Sequence, residues 1–80
     1  MDQARQVTLL LEEARIIRGI SVAELARRIN VDRKRLWYVL NGQREIRVDE
    51  FLKLCIVLGI DPKRFITNDM VEEVRRHIHR

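Results

Sequence analysis

SVAELARRINVDRKRLWYVLN, residues 21–41, is the stretch whose reading decides the fold. Ser21 offers a hydroxyl to an exposed backbone N–H and Glu24 stands three residues on, the spacing of a capping box. This predicts a helix over Val22–Ile29 with Leu25, Ala26 and Ile29 facing inward. Asn30 and Val31 then interrupt the pattern, and asparagine is the residue after glycine that best tolerates a positive φ. Asp32 is placed to cap a second helix, which continues through Asn41 with Leu36, Val39 and Leu40 on one face. Two short helices joined by so tight a turn form an angled pair.

Working outward, Gly19, Gly42 and Gly59 each follow an apolar-periodic run and mark three helix ends. Upstream, a helix is expected over Gln3–Arg18, with Val7, Leu10, Leu11, Ala14 and Ile17 recurring at helical spacing. Downstream, a fourth helix is expected over Val48–Leu58, with Val48, Phe51, Leu52, Cys55 and Leu58 as its buried stripe. Asp61 followed by Pro62 reads as the cap and first residue of a one-turn helix through Phe65 and Ile66. Asp69, with Glu72 three residues later, is expected to start a last helix whose apolar edge is Met70, Val74 and Ile78. No strand alternation, repeat or low-complexity stretch competes with this pattern. The expected fold class is all-α: a compact bundle of four to five short helices over residues 1–68, followed by a C-terminal helix over 69–80.

The chain has 80 residues, of which 46% are hydrophobic and 35% charged, a mixture that fits one soluble globular domain rather than disorder. No apolar run approaches the roughly 18 residues of a membrane span and no signal-peptide pattern is present, so a cytoplasmic location is expected. Cys55, the single cysteine, lies in the apolar run 54–58 and reads as a small core residue rather than a reactive thiol. The net charge of +4 is concentrated in one segment: residues 21–48 hold seven bases against three acids, whereas the flanking segments balance. A basic patch confined to one segment is the footprint of a phosphate-binding surface, and charge alone fits a solvated helix face equally well.

The stretch RGISVAELARRINVDRKRLWYVLNGQREIRVDEFLKLCIVLGID resembles the helix-turn-helix domain of lambda-repressor-like and Cro-like regulators, the Xre family. The resemblance covers about Leu10 to Ile66. It rests on G-I-S before the second helix, E-L-A inside it, the N-G-Q-R step after the third helix and L-G-I-D closing the fourth. Three positions depart from the family pattern. Val22 stands where many members carry a phosphate-touching glutamine, Asn30 replaces the glycine of the turn, and Arg47, after Ile46, replaces a serine cap.

The resemblance implies that the third helix, about residues 32–41, enters the major groove of double-stranded DNA. On a helical wheel Lys34 and Tyr38 lie opposite the apolar face, with Arg33, Trp37 and Asn41 on the flanks. Arg33, Lys34, Tyr38 and Trp37 are therefore the expected base contacts, arginine and lysine being suited to guanine O6 and N7. By phase Tyr38 is expected to be the more exposed aromatic, Trp37 to be partly buried against a neighbouring helix, and Arg35 to be a solvated side chain. Ser21, Arg28, Asn41, Arg44 and Arg47 fall at helix ends or in the following loop, where the family holds the sugar-phosphate backbone.

The expected function is a transcriptional regulator, in the family's usual mode a repressor, binding a palindromic operator as a homodimer. No cofactor, small-molecule ligand or membrane partner is implied. Nor is an enzyme, because no nucleophile, base and orienting partner assemble in the sequence. His77 and His79 read as terminal tail rather than metal ligands, and Glu72 and Glu73 as the favourable first turn of the last helix. The competing reading is a protein-interaction module on the same fold, an antitoxin or bridging factor. Its support is Ile16 and Ile56, apolar where the family is commonly polar, which with Leu9 could form a second apolar patch.

Overall fold

Side-chain caps and left-handed residues divide this chain into its helices. The computed structural model describes residues 2–78, in the order α1 (Gln3–Ile17), α2 (Val22–Ile29), α3 (Arg33–Leu40), α4 (Val48–Leu58), a 3-10 turn (Pro62–Phe65) and α5 (Asn68–Ile78). The Asp2 carboxylate accepts from Arg5 N–H at 2.8 Å, Ser21 Oγ from Glu24 N–H at 3.0 Å and the Asp32 carboxylate from Arg35 N–H at 3.0 Å. Each satisfies one of the backbone donors that a helix start leaves free. Asn30 takes φ 57°, the left-handed conformation the three-residue turn requires.

Two capping expectations change in detail. Only the hydroxyl half of the box at Ser21 forms, because the Glu24 carboxylate turns instead to Arg27 at 2.6 Å and Arg28 at 2.7 Å. Helix α5 starts at Asn68, since Thr67 Oγ1 accepts from Met70 N–H at 3.2 Å and takes the capping role expected of Asp69.

The core gathers Leu11 and Ala14 from α1, Leu25, Ala26 and Ile29 from α2, Leu36 and Leu40 from α3, and Leu54, Cys55 and Leu58 from α4, closed by Ile60 and Phe65. Each fully buried leucine or isoleucine contributes about 1.5–3 kcal/mol relative to exposure. Both α1 and α2 pack on α3 and on α4. Helix α3 is thus backed from two sides and presents its remaining face outward. Burial raises the Cys55 thiol above its ordinary range, with a smaller contribution from Asp61, in keeping with an inert core residue.

Two of the expected stripes are rotated. In α1 the buried residues are Thr8, Leu11 and Ala14, while Leu10 and Ile17 face out. In α4 they are Glu50, Leu54, Cys55 and Leu58, while Val48 is 77% and Leu52 46% exposed. Helix α4 is apolar at nearly every position from Phe51 to Leu58, so its wheel has no unique inward side. The ion pair of Glu50 described below fixes the rotation. Helix α5 buries no residue, and a hydrogen bond from Gln3 Nε2 to Glu73 Oε2 at 3.1 Å connects it to α1. Among the described residues, no helix is long and apolar enough to cross a membrane.

Candidate nucleic-acid interface

Helix α3 is fastened at both ends by arginines that reach across the fold. Arg35 Nε and Nη2 donate to the two oxygens of Glu50 at 2.7 and 2.8 Å, and Nη2 also donates to the Glu45 carbonyl at 3.1 Å. Glu50 is 3% exposed, and its Oε1 accepts a further bond from Arg47 N–H at 2.9 Å. A buried carboxylate is tolerable only when paired and hydrogen-bonded in this way. The Arg35 guanidinium, aided by the Arg47 backbone, holds the Glu50 carboxyl below the usual carboxylate range against the opposing effect of burial. Arg35 is therefore a half-buried tie between α3 and α4, not the solvated side chain its position on the wheel suggests. Arginine has no acceptor, so Arg47 caps α4 only through its backbone N–H.

At the other end, Arg5 Nη1 donates to the Leu40 carbonyl at 3.0 Å and to Thr8 Oγ1 at 3.1 Å. Arg5 lies over Gly42, whose φ is 75°. A Cβ there would fall 2.7–2.8 Å from the Arg5 side chain. Glycine at this position serves both the left-handed turn and the close approach of Arg5.

The outward face of α3 carries Arg33 and Lys34 in its first turn, both exposed, followed by the aromatic pair. Trp37 is 46% exposed and Tyr38 is half-buried, the reverse of the expected order. Tyr38 meets Trp37 edge to face, with centroids 5.3 Å apart and planes at 84°, and the Arg44 guanidinium lies 5.7 Å from the Tyr38 centroid. The loop after α3 thus covers Tyr38, which a wheel of α3 alone does not include.

A cleft of about 580 Å³ lies between the start of α2 and this face, lined by Ser21, Val22 and Ala23 on one side and Arg33, Lys34, Trp37 and Tyr38 on the other. A second, shallower groove of about 550 Å³ is lined by Gln43, Arg44 and Arg47 together with Arg35, Glu45 and Ile46. Of the expected contacts, these two surfaces unite Ser21, Arg33, Lys34, Trp37, Tyr38, Arg44 and Arg47. Arg28 and Asn41 line neither. Arg28 Nε is engaged by Glu24, whose carboxyl the two neighbouring guanidiniums hold down at about 2, and Asn41 Nδ2 turns back to the Trp37 carbonyl at 2.8 Å.

Of the seven bases in residues 21–48, Arg27 and Arg28 pair with Glu24 and Arg35 pairs with Glu50. Among the described residues, Arg33, Lys34, Arg44 and Arg47 take part in no ion pair. These four, on α3 and the loop that follows, remain available to phosphate or to base edges.

Sequence reasoning missed two residues. Gln43 lines the second groove and stands in the N-G-Q-R step, so its exposed amide was within reach of the motif. Arg5 positions α3 from 35 residues away, and no local signal announces it. The reading of His77 and His79 rests partly on His79, which lies outside the described residues, and no cluster of three metal-ligating side chains occurs among those described.

Two short helices at a tight left-handed turn, the second presenting unpaired cations outward, define a DNA-binding module of the helix-turn-helix class. A family model described as helix-turn-helix matches residues 11–65, and the chain belongs to that family, the Xre or lambda-repressor-like regulators. Comparison with curated proteins and with solved structures gives no match.

Proposed function

We propose that the chain is a sequence-specific regulator of transcription that places α3 in the major groove of double-stranded DNA and acts as a repressor. The observation that carries this reading is the set of four unpaired cations, Arg33, Lys34, Arg44 and Arg47, on and just after a helix fastened at both ends. Arg33 and Lys34, beside Trp37, are the base readers, with half-buried Tyr38 as the wall behind them. Arg44 and Arg47 grip phosphate with Ser21, while Arg28 and Asn41 have weaker claims because their donors are already engaged. Repression follows by occluding polymerase, in the cytoplasm.

The regulator acts as a homodimer on a palindromic operator. Val48, Leu52 and Ile56 recur every fourth residue along α4 and are 77, 46 and 78% exposed, a stripe suited to an isologous contact. The C-terminal segment 69–80 adds to it through the exposed Val74 and Ile78 of α5. Selection of bound duplexes from a random pool at physiological salt tests the reading: a palindromic enriched site supports it. Arg33→Ala is expected to change base preference at one position of each half-site. Arg44→Ala is expected to weaken all duplexes alike and flatten the salt slope by about one unit. The second reading, a protein-interaction module, is favoured by Leu9, Ile16 and Ile56, all exposed apolar residues. It gains if no duplex is enriched.

A further inference from the structure

The centre of the proposed DNA-facing surface is apolar. Val22, half-buried against the core, lines the cleft beside exposed Ala23. Trp37 forms the opposite wall and is braced by the edge of Tyr38, which itself lies under Arg44. Arg33 and Lys34 line the same cleft and set a positive charge at its margin. A large aromatic left 46% exposed beside cations, facing a valine, suits neither phosphate nor a purely polar base edge. In the major groove the only apolar feature a base pair displays is the C5-methyl of thymine.

We infer that the cleft between Val22 and Trp37 takes the C5-methyl of a thymine, making these two residues determinants of sequence while Arg33 and Lys34 bind the adjoining base edges. The inference rests on the DNA-binding reading and extends it to positions outside the polar contacts. The enriched half-site should accordingly contain a thymine next to the position read by Arg33. Replacing that thymine by uracil removes the methyl group and leaves pairing, hydrogen-bonding edges and phosphates unchanged. Burying one methyl group corresponds to a loss of about fourfold in affinity per half-site on that replacement.

The experiment measures binding of the enriched duplex and its uracil version by the full chain, and by Trp37→Ala and Val22→Ser variants. The wild type should prefer thymine, and both variants should bind the two duplexes equally. Because each ratio is internal to one protein, partial loss of folding does not affect it. Equal binding of both duplexes by the wild type overturns the inference while leaving DNA binding intact. So does an undiminished preference in Trp37→Ala, which would place the methyl contact elsewhere, and so does an enriched half-site without thymine. If no duplex of either kind is bound above the random pool, the DNA-binding reading itself falls.

Discussion

Helix α3 has eight residues and α5 eleven; both carry arginines and both place apolar residues at helical spacing, yet α3 buries Leu36, Val39 and Leu40 whereas α5 buries nothing. Amphipathic pattern does not separate them, because Met70, Val74 and Ile78 are spaced as regularly as the buried trio. Connection does. A three-residue turn and the α1 packing hold α3 against its neighbours, and Arg35 and Arg5 tie its ends to α4 and α1. Among the described residues, helix α5 has a cap at Thr67 and one side-chain hydrogen bond to α1. A stripe says that a helix has something to cover, and the links around it determine what does so.

The largest effect should come from cutting the strongest tie. Arg35→Met leaves the Glu50 carboxylate buried without its partner and should cost about 3–5 kcal/mol in urea unfolding, while the double variant with Glu50→Leu recovers much of the loss. The pair also gives a pH signature. The folded-state pKa of Glu50 is depressed, so its stabilisation is fully present above the unfolded carboxylate pKa of about 4.3 and is lost as pH falls below that toward the folded value. Glu50→Gln should therefore flatten the acid limb of the stability profile relative to the parent.

Next comes Leu36→Ala, which opens a cavity under α3 and should cost about 2–5 kcal/mol. Smaller again is Gly42→Ala, which combines a positive φ with displacement of Arg5 and should cost about 1–3 kcal/mol. Gly19→Ala meets nothing within 4 Å and carries the backbone cost of about 1–2 kcal/mol alone. The smallest effect belongs to α5: Val74→Ala should change monomer stability by no more than about 0.5 kcal/mol. A large loss there would break the comparison. Deleting residues 69–80 sharpens it, since a dimer lost by sedimentation with the fold intact assigns the α5 edge to a second subunit.

The helix order was legible because Ser21, Asn30, Asp32 and Gly42 act on the backbone within a few residues of themselves. The rotation of α4 was not, since a helix apolar on nearly all sides offers the wheel no preferred face. The state of each arginine was also hidden. Arg33 and Arg35 are two positions apart, and only a carboxylate 15 residues further on decides that one is a tie and the other free. The order of Trp37 and Tyr38 failed for a similar reason, because Arg44 covers the tyrosine from outside the helix.

The clasp of Arg5 on Leu40 and Gly42 bears on how the protein should be handled. Asp2, Ala4 and Arg5 share a surface recess with Gly42, Gln43 and Arg44, so the first turn of α1 borders the loop proposed to grip phosphate. An affinity tag joined directly ahead of Asp2 would sit at the rim of that recess, and a histidine- or acid-rich one would add its own charge to the loop. Removing the tag before affinities are measured keeps the salt dependence of binding a property of the protein itself.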